Sequence, residues 1–155
     1  MTSTSVRLAI VFLAASISAS ADITVYTDHS DAVAALNARQ GHEAYTAVPL
    51  TRSDIVPPRR RAVKPLNYTR LKKGGPVARS KIAVVIDGKG RIIDQVPFDY
   101  NDRAYGDAVA SVIAKMIILT PGTVGKKPAN FVLVYRYSTE DPTPEVETQA
   151  PKSRS

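Results

Sequence analysis

The chain has no cysteine and no tryptophan, and only two histidines, three phenylalanines and two methionines among its 155 residues. Lack of cysteine excludes disulfides, a thiolate nucleophile and any cysteine-based zinc site. With no tryptophan and so few phenylalanines, a core has to be built mostly from aliphatic side chains, for which the 44% apolar fraction suffices. Both histidines, His29 and His42, fall early, so acid–base or metal chemistry would have to be assembled there. Asp28, His29 and Asp31 form the one suggestive cluster, and capping of a nearby helix explains its acids more simply. Asp99, Asp102 and Asp107 are spaced as caps and a solvated helix start, and no Ser, His and Asp arrangement stands out. The expectation is a non-enzymatic protein with no metal and no cofactor.

Acid is also missing where base is dense. No Asp or Glu lies between Asp54 and Asp87, while nine Lys or Arg fall between Arg59 and Lys81. The formal charge is +7, which suits an acidic or polyanionic neighbour and says nothing about fold. Residues 51–80 read as a basic connector, because Pro57, Pro58 and Pro65 disfavour helix. One helical turn near Tyr68–Lys72 fits before Gly74-Gly75-Pro76. The connector is expected first to be a solvated linker. Its second reading is a contact surface for membrane phosphates, carried by Arg59, Arg60, Arg61, Lys64, Lys72 and Lys73. Nucleic acid ranks last, since Tyr68 is the only aromatic there for base stacking.

Long apolar runs are absent except at the amino terminus. Arg7, the run Leu8–Ala19 and the small residues Ala19-Ser20-Ala21 have the order of an export signal, with cleavage before Asp22. The run is shorter than the roughly 20 residues that span a bilayer, so residues 1–21 are expected to be removed and the mature chain to reside in the periplasm. An uncleaved inner-membrane anchor is the alternative. Residues 22–50 suggest a strand over Ile23–Thr27 and a short helix over Asp31–Gln40, capped by Asp28 or Ser30 and ended at Gly41. The helix's apolar face, Val33 and Leu36 helped by alanines, is thin, so the segment is expected to be of uncertain order.

Residues 81–137 carry the clearest pattern. Ile82, Val84 and Ile86 alternate with Ala83, Val85 and Asp87. Asp87-Gly88-Lys89-Gly90 follows as a hairpin turn, and Arg91–Phe98 as the return strand. Asn101 or Asp102 starts a helix running to about Ile118, with Val109, Val112, Ile113, Met116 and Ile117 in one stripe. Thr120-Pro121-Gly122 and Gly125-Lys126-Lys127-Pro128 turn the chain into a final strand. There Phe131, Leu133, Tyr135 and Tyr137 share a face opposite Val132, Val134 and Arg136. Residues 138–155 read as a disordered tail. The expected fold is a small two-layer α+β domain, one antiparallel sheet packed against one main helix.

Val85-Ile86-Asp87-Gly88-Lys89-Gly90-Arg91-Ile92 resembles the first hairpin of TonB C-terminal domains. The helix, the Thr120-Pro121-Gly122 turn and the Val134-Tyr135-Arg136-Tyr137 ending follow in that family's order, and Pro57-Pro58-Arg59-Arg60 resembles its basic, proline-bearing approach. The similarity covers roughly residues 57–137. It implies a module that pairs by strand addition with an extended segment of an envelope protein, such as an outer-membrane receptor or a transport-complex subunit. Asn130, Val132, Val134, Tyr135, Arg136 and Tyr137 are then the partner-binding residues, on an exposed edge strand. A homodimer through the same edge, an anchored energy transducer and a basic envelope-associating structural protein are the alternatives.

Overall fold

The structure, a computed structural model, describes residues 22–39, 41–64, 76–141 and 144–147. The expected leader, the helical turn near Tyr68–Lys72, and Lys72 and Lys73 lie outside the described residues. In chain order the elements are β1 (Ile23–Tyr26), α1 (Ser30–Asn37), β2 (Tyr45–Val48), β3 (Ile55–Val56), β4 (Arg60–Val63), β5 (Arg79–Ile86) and β6 (Ile92–Phe98). They continue with α2 (Arg103–Met116), β7 (Ile117–Leu119), β8 (Thr123–Val124), β9 (Lys127–Pro128), β10 (Phe131–Ser138) and β11 (Glu145–Val146).

The Asp87–Gly90 turn sets the register of the main hairpin. Gly90 takes φ of +79°, a region that other residues adopt with strain. The Asp87 carboxylate accepts from the Lys89 and Arg91 backbone N–H groups, both at 2.9 Å. It also accepts from the Arg91 guanidinium at 2.8 Å. Burial opposes ionisation of Asp87, but these hydrogen bonds outweigh it and hold the carboxyl below its ordinary pKa. From this turn β5 and β6 run antiparallel, and β10 pairs with the other side of β5 from Phe131↔Ile86 to Ser138↔Arg79.

The large sheet has six strands, ordered β2-β1-β10-β5-β6 with β11 also on β10. It is mixed, since β1 is parallel to both β2 and β10. Alternation along β5 and β10 sends apolar side chains to both faces. Ile82, Val84, Ile86, Tyr135 and Tyr137 join Val109, Ile113 and Met116 of α2. Ala83, Val85, Val132 and Val134 join Ala32, Val33 and Leu36 of α1. The expected α+β class holds, but the single helix layer does not. The thin face of α1 is completed by the second face of the sheet, so a helix covers each side. Among the described residues no helix is long and apolar enough to cross a membrane.

Other expectations are corrected by local geometry. Asp102 caps α2, accepting from the Tyr105 N–H at 3.0 Å. The helix ends at Met116 rather than near Ile118, because Ile117 turns extended and Ile117–Leu119 pair with β4. Helix α1 has His29 at its N-cap and no side-chain cap. Asp28, expected there, instead accepts from the Leu50 N–H at 2.9 Å. The basic connector contributes two strands, β3 on β8 and β4 on β7. The segment expected to be a disordered tail contains β11, paired with β10 at Tyr135↔Val146 and Arg136↔Glu145.

Candidate functional site

Strand β10 was expected to lie at an edge, and it lies inside the sheet. One side is fully paired with β5, and the other is shared by β1 at Phe131 and β11 at Tyr135 and Arg136. Backbone groups of alternate residues point to this second side. The Asn130 carbonyl accepts from the Tyr26 N–H at 2.9 Å and the Val134 carbonyl from the Glu147 N–H at 2.9 Å. The even-numbered positions Asn130, Val132, Val134 and Arg136 therefore face the outer side of β10. Their side chains have a different fate: Val132 is 1% exposed and Val134 is fully buried, and Tyr135 and Tyr137 on the opposite face are 0% and 3% exposed. Arg136 is exposed and Asn130 half-buried. Tyr135 and Tyr137, expected to shape specificity, are core residues packed with α2.

Register creates a basic strip that the sequence does not display. Arg136 of β10 sits directly opposite Lys81 of β5, and Arg79 lies two residues before Lys81 on the same face. Like charges placed opposite one another repel. The carboxyl-terminal segment neutralises all three. Glu145 reaches Arg136 at 3.4 Å, Glu147 reaches Lys81 at 3.2 Å, and Glu140 reaches Arg79 at 3.8 Å. Asp99 adds a second carboxylate to Lys81 at 3.2 Å. Partial burial works against the Lys81 ammonium, but Glu147 and Asp99 outweigh it and raise its pKa. Arg60 donates to the Pro144 carbonyl at 3.1 Å, and a ring nitrogen of His29 lies 3.0 Å from the Glu147 carbonyl. Beside this segment opens a cleft of about 520 Å³ lined by Arg79, Lys81, Asp99, Tyr100, Arg136, Asp141 and Glu145 among others.

A second polar cluster docks the amino-terminal unit. Asp94 of β6 accepts from both terminal guanidinium nitrogens of Arg39, at 2.9 and 2.5 Å. It also accepts from the Tyr45 hydroxyl at 2.7 Å and the Gln95 N–H at 2.8 Å. Burial disfavours the Asp94 carboxylate, yet the bonds from Arg39 and Tyr45 prevail and lower its pKa. Burial, then the bond to Asp94, raises that of Tyr45. Every carboxylate lone pair is committed, so this is a clamp rather than a reactive group. Among the described residues no three His, Asp or Glu side chains converge to hold a metal.

Of the sequence-predicted basic residues, Arg59, Arg60, Arg61 and Lys64 are exposed on or beside β4. The strip formed by Arg79, Lys81 and Arg136, and the acids that cover it, were missed. Glu145-Val146-Glu147 does alternate with the period of a strand, but Pro142 and Pro144 beside it mask that signal. Comparison with protein-family models, curated proteins and solved structures found no match to this chain.

Proposed function

We propose that the chain is an exported binding module that takes up an extended segment of an envelope protein as an added strand on the outer side of β10. The supporting observation is β11. Two residues from outside the main hairpin unit already lie on that side as an antiparallel strand, so the backbone groups there accept one. The short overlap with β1, limited to Phe131, leaves the stretch beyond it to β11 among the described residues. Strand addition uses such main-chain groups for affinity and neighbouring side chains for specificity. The export-like amino terminus and the resemblance to TonB C-terminal domains support an envelope partner, such as an outer-membrane receptor or transport-complex subunit.

The test is selection from a displayed decapeptide library followed by amide-exchange mapping of the selected peptides on the full chain. The reading predicts new or altered protection at Val134 and Arg136. Selected peptides that protect other surfaces and leave these amides unchanged contradict it. A second reading rests on the exposed Arg59, Arg61 and Lys64 beside β4, which present positive charge to an anionic membrane. It predicts binding to anionic vesicles that falls steeply with salt and is indifferent to changes at β10. Vesicle binding that is absent at low salt removes it.

A further inference from the structure

Resting on the strand-addition reading, we infer that β11 stands in, within the same chain, for an acidic partner peptide. The partner carries an apolar residue between two carboxylates and binds antiparallel to β10. The alternation of β11 defines this chemistry. Val146 turns toward the α2 face and packs against the main core, opposite Tyr135. Glu145 and Glu147 turn to the other face and meet Arg136 and Lys81. The Glu147 backbone N–H completes the attachment on Val134 at 2.9 Å.

Without these glutamates, Arg136 and Lys81 stand side by side across β10 and β5, with Asp99 the one remaining carboxylate paired to either among the described residues. An uncharged or basic strand would leave that repulsion in place. An acidic one removes it, which is why charge selects the partner and the backbone alone does not. The segment in place is short, and it is weakly held at its Arg136 end even though Glu147 is mostly buried against Lys81. Its ladder is two residues long, and the Arg136–Glu145 pair is more than half exposed on both sides, at 54% and 65%. Exposed pairs of this kind contribute little to holding the segment down. A longer partner strand of the same pattern pairs with more of β10 and displaces β11.

The probe is the peptide Thr-Pro-Glu-Val-Glu-Thr, the sequence of residues 143–148, with two controls carrying Gln or Lys in place of both glutamates. Each is titrated into the full chain and into full-length Glu145→Lys/Glu147→Lys, which repels its own segment from Arg136 and Lys81. The acidic peptide is expected to bind the charge-reversed variant about tenfold more tightly than the unaltered chain. The Gln peptide is expected to bind that variant about tenfold more weakly than the acidic one. The preference should fade near 1 M salt, where the Debye length is about 3 Å. Val146→Asp releases the segment through its apolar contact instead, and gives an independent variant if the charge reversal fails to fold.

Equal binding of all three peptides on β10 overturns the acidic requirement while leaving strand addition standing. Binding of no peptide to either released variant overturns both. A concentration-dependent dimer of the unaltered chain that exchanges its own Glu145–Glu147 segments makes a second copy, rather than a separate partner, the occupant and overturns the inference in that form.

Discussion

Asp94→Asn isolates the clamp that docks the amino-terminal unit onto the sheet. The substitution preserves shape but replaces a carboxylate that accepts four hydrogen bonds, two of them from Arg39. The amide presents an N–H₂ group to donors it cannot satisfy and leaves the Arg39 charge without its partner. The two side chains are 17% and 22% exposed, between the surface and buried limits. Exposed pairs are worth about 0–1 kcal/mol and the breaking of buried pairs costs about 3–5 kcal/mol, so a loss of about 2 kcal/mol is expected. That corresponds to a fall in Tm of roughly 4–8 °C for a chain of this size. The pH dependence follows from the lowered pKa of Asp94. Its contribution is present above the unfolded-state pKa, about 3.9, and is lost as pH falls through the lower folded-state value. Urea melts at neutral pH should therefore separate the two proteins, and the gap should close in acid. Amide exchange at Val33 and Leu36 of α1 should accelerate before that of β5. Equal midpoints at neutral pH, or a gap that persists unchanged in acid, would refute the reasoning.

Three further substitutions test separate parts of the fold. Gly90→Ala should cost at least about 2 kcal/mol in a urea melt, since left-handed backbone disfavours any side chain. A Cβ there also meets the Leu119 carbonyl oxygen at 2.9 Å and the Pro121 nitrogen at 3.0 Å. Asp102→Ala removes the α2 cap and should cost about 1 kcal/mol, read as a lower midpoint with an unchanged m-value. Tyr135→Phe should be neutral or stabilise by up to about 1 kcal/mol and should not weaken peptide binding. The reason is that the buried Tyr135 hydroxyl has no hydrogen-bond partner among the described residues, and burial pushes its pKa up to about 12 against the pull of Arg60.

The hairpin around Asp87–Arg91 and the buried stripe of α2 were legible because local chemistry determines both: a glycine turn between alternating runs, and 3.6-residue spacing of apolar side chains. The end of α2 was less so. Ile117 continues the helical spacing, but Ile117–Leu119 is also a good strand, and pairing with β4 decides between them. The position of β10 was not legible at all. Alternation identifies a strand but not its neighbours: β1 comes from a remote part of the chain, and β11, though it follows β10 directly, is masked by Pro142 and Pro144. The same limit hid the basic strip. Lys81 and Arg136 become neighbours only through the β5–β10 register, and the return of Glu145 to Arg136 is masked in the sequence by Pro142 and Pro144. The weak apolar face of α1 suggested marginal order because the other half of its core, Val85, Val132 and Val134, lies in another segment.

Amide exchange at Val134 and Arg136 in full-length Glu145→Lys/Glu147→Lys, before and after the acidic peptide is added, tests strand addition most directly. Release of the segment is verified at the Glu147 amide, which donates to Val134 in the unaltered chain. The account predicts that Arg136 exchanges quickly once the segment leaves and that Arg136 and Val134 both gain protection with peptide, while Leu133 and Tyr135, which face β5, stay protected throughout. Fast exchange at Val134 and Arg136 that no peptide slows would contradict it.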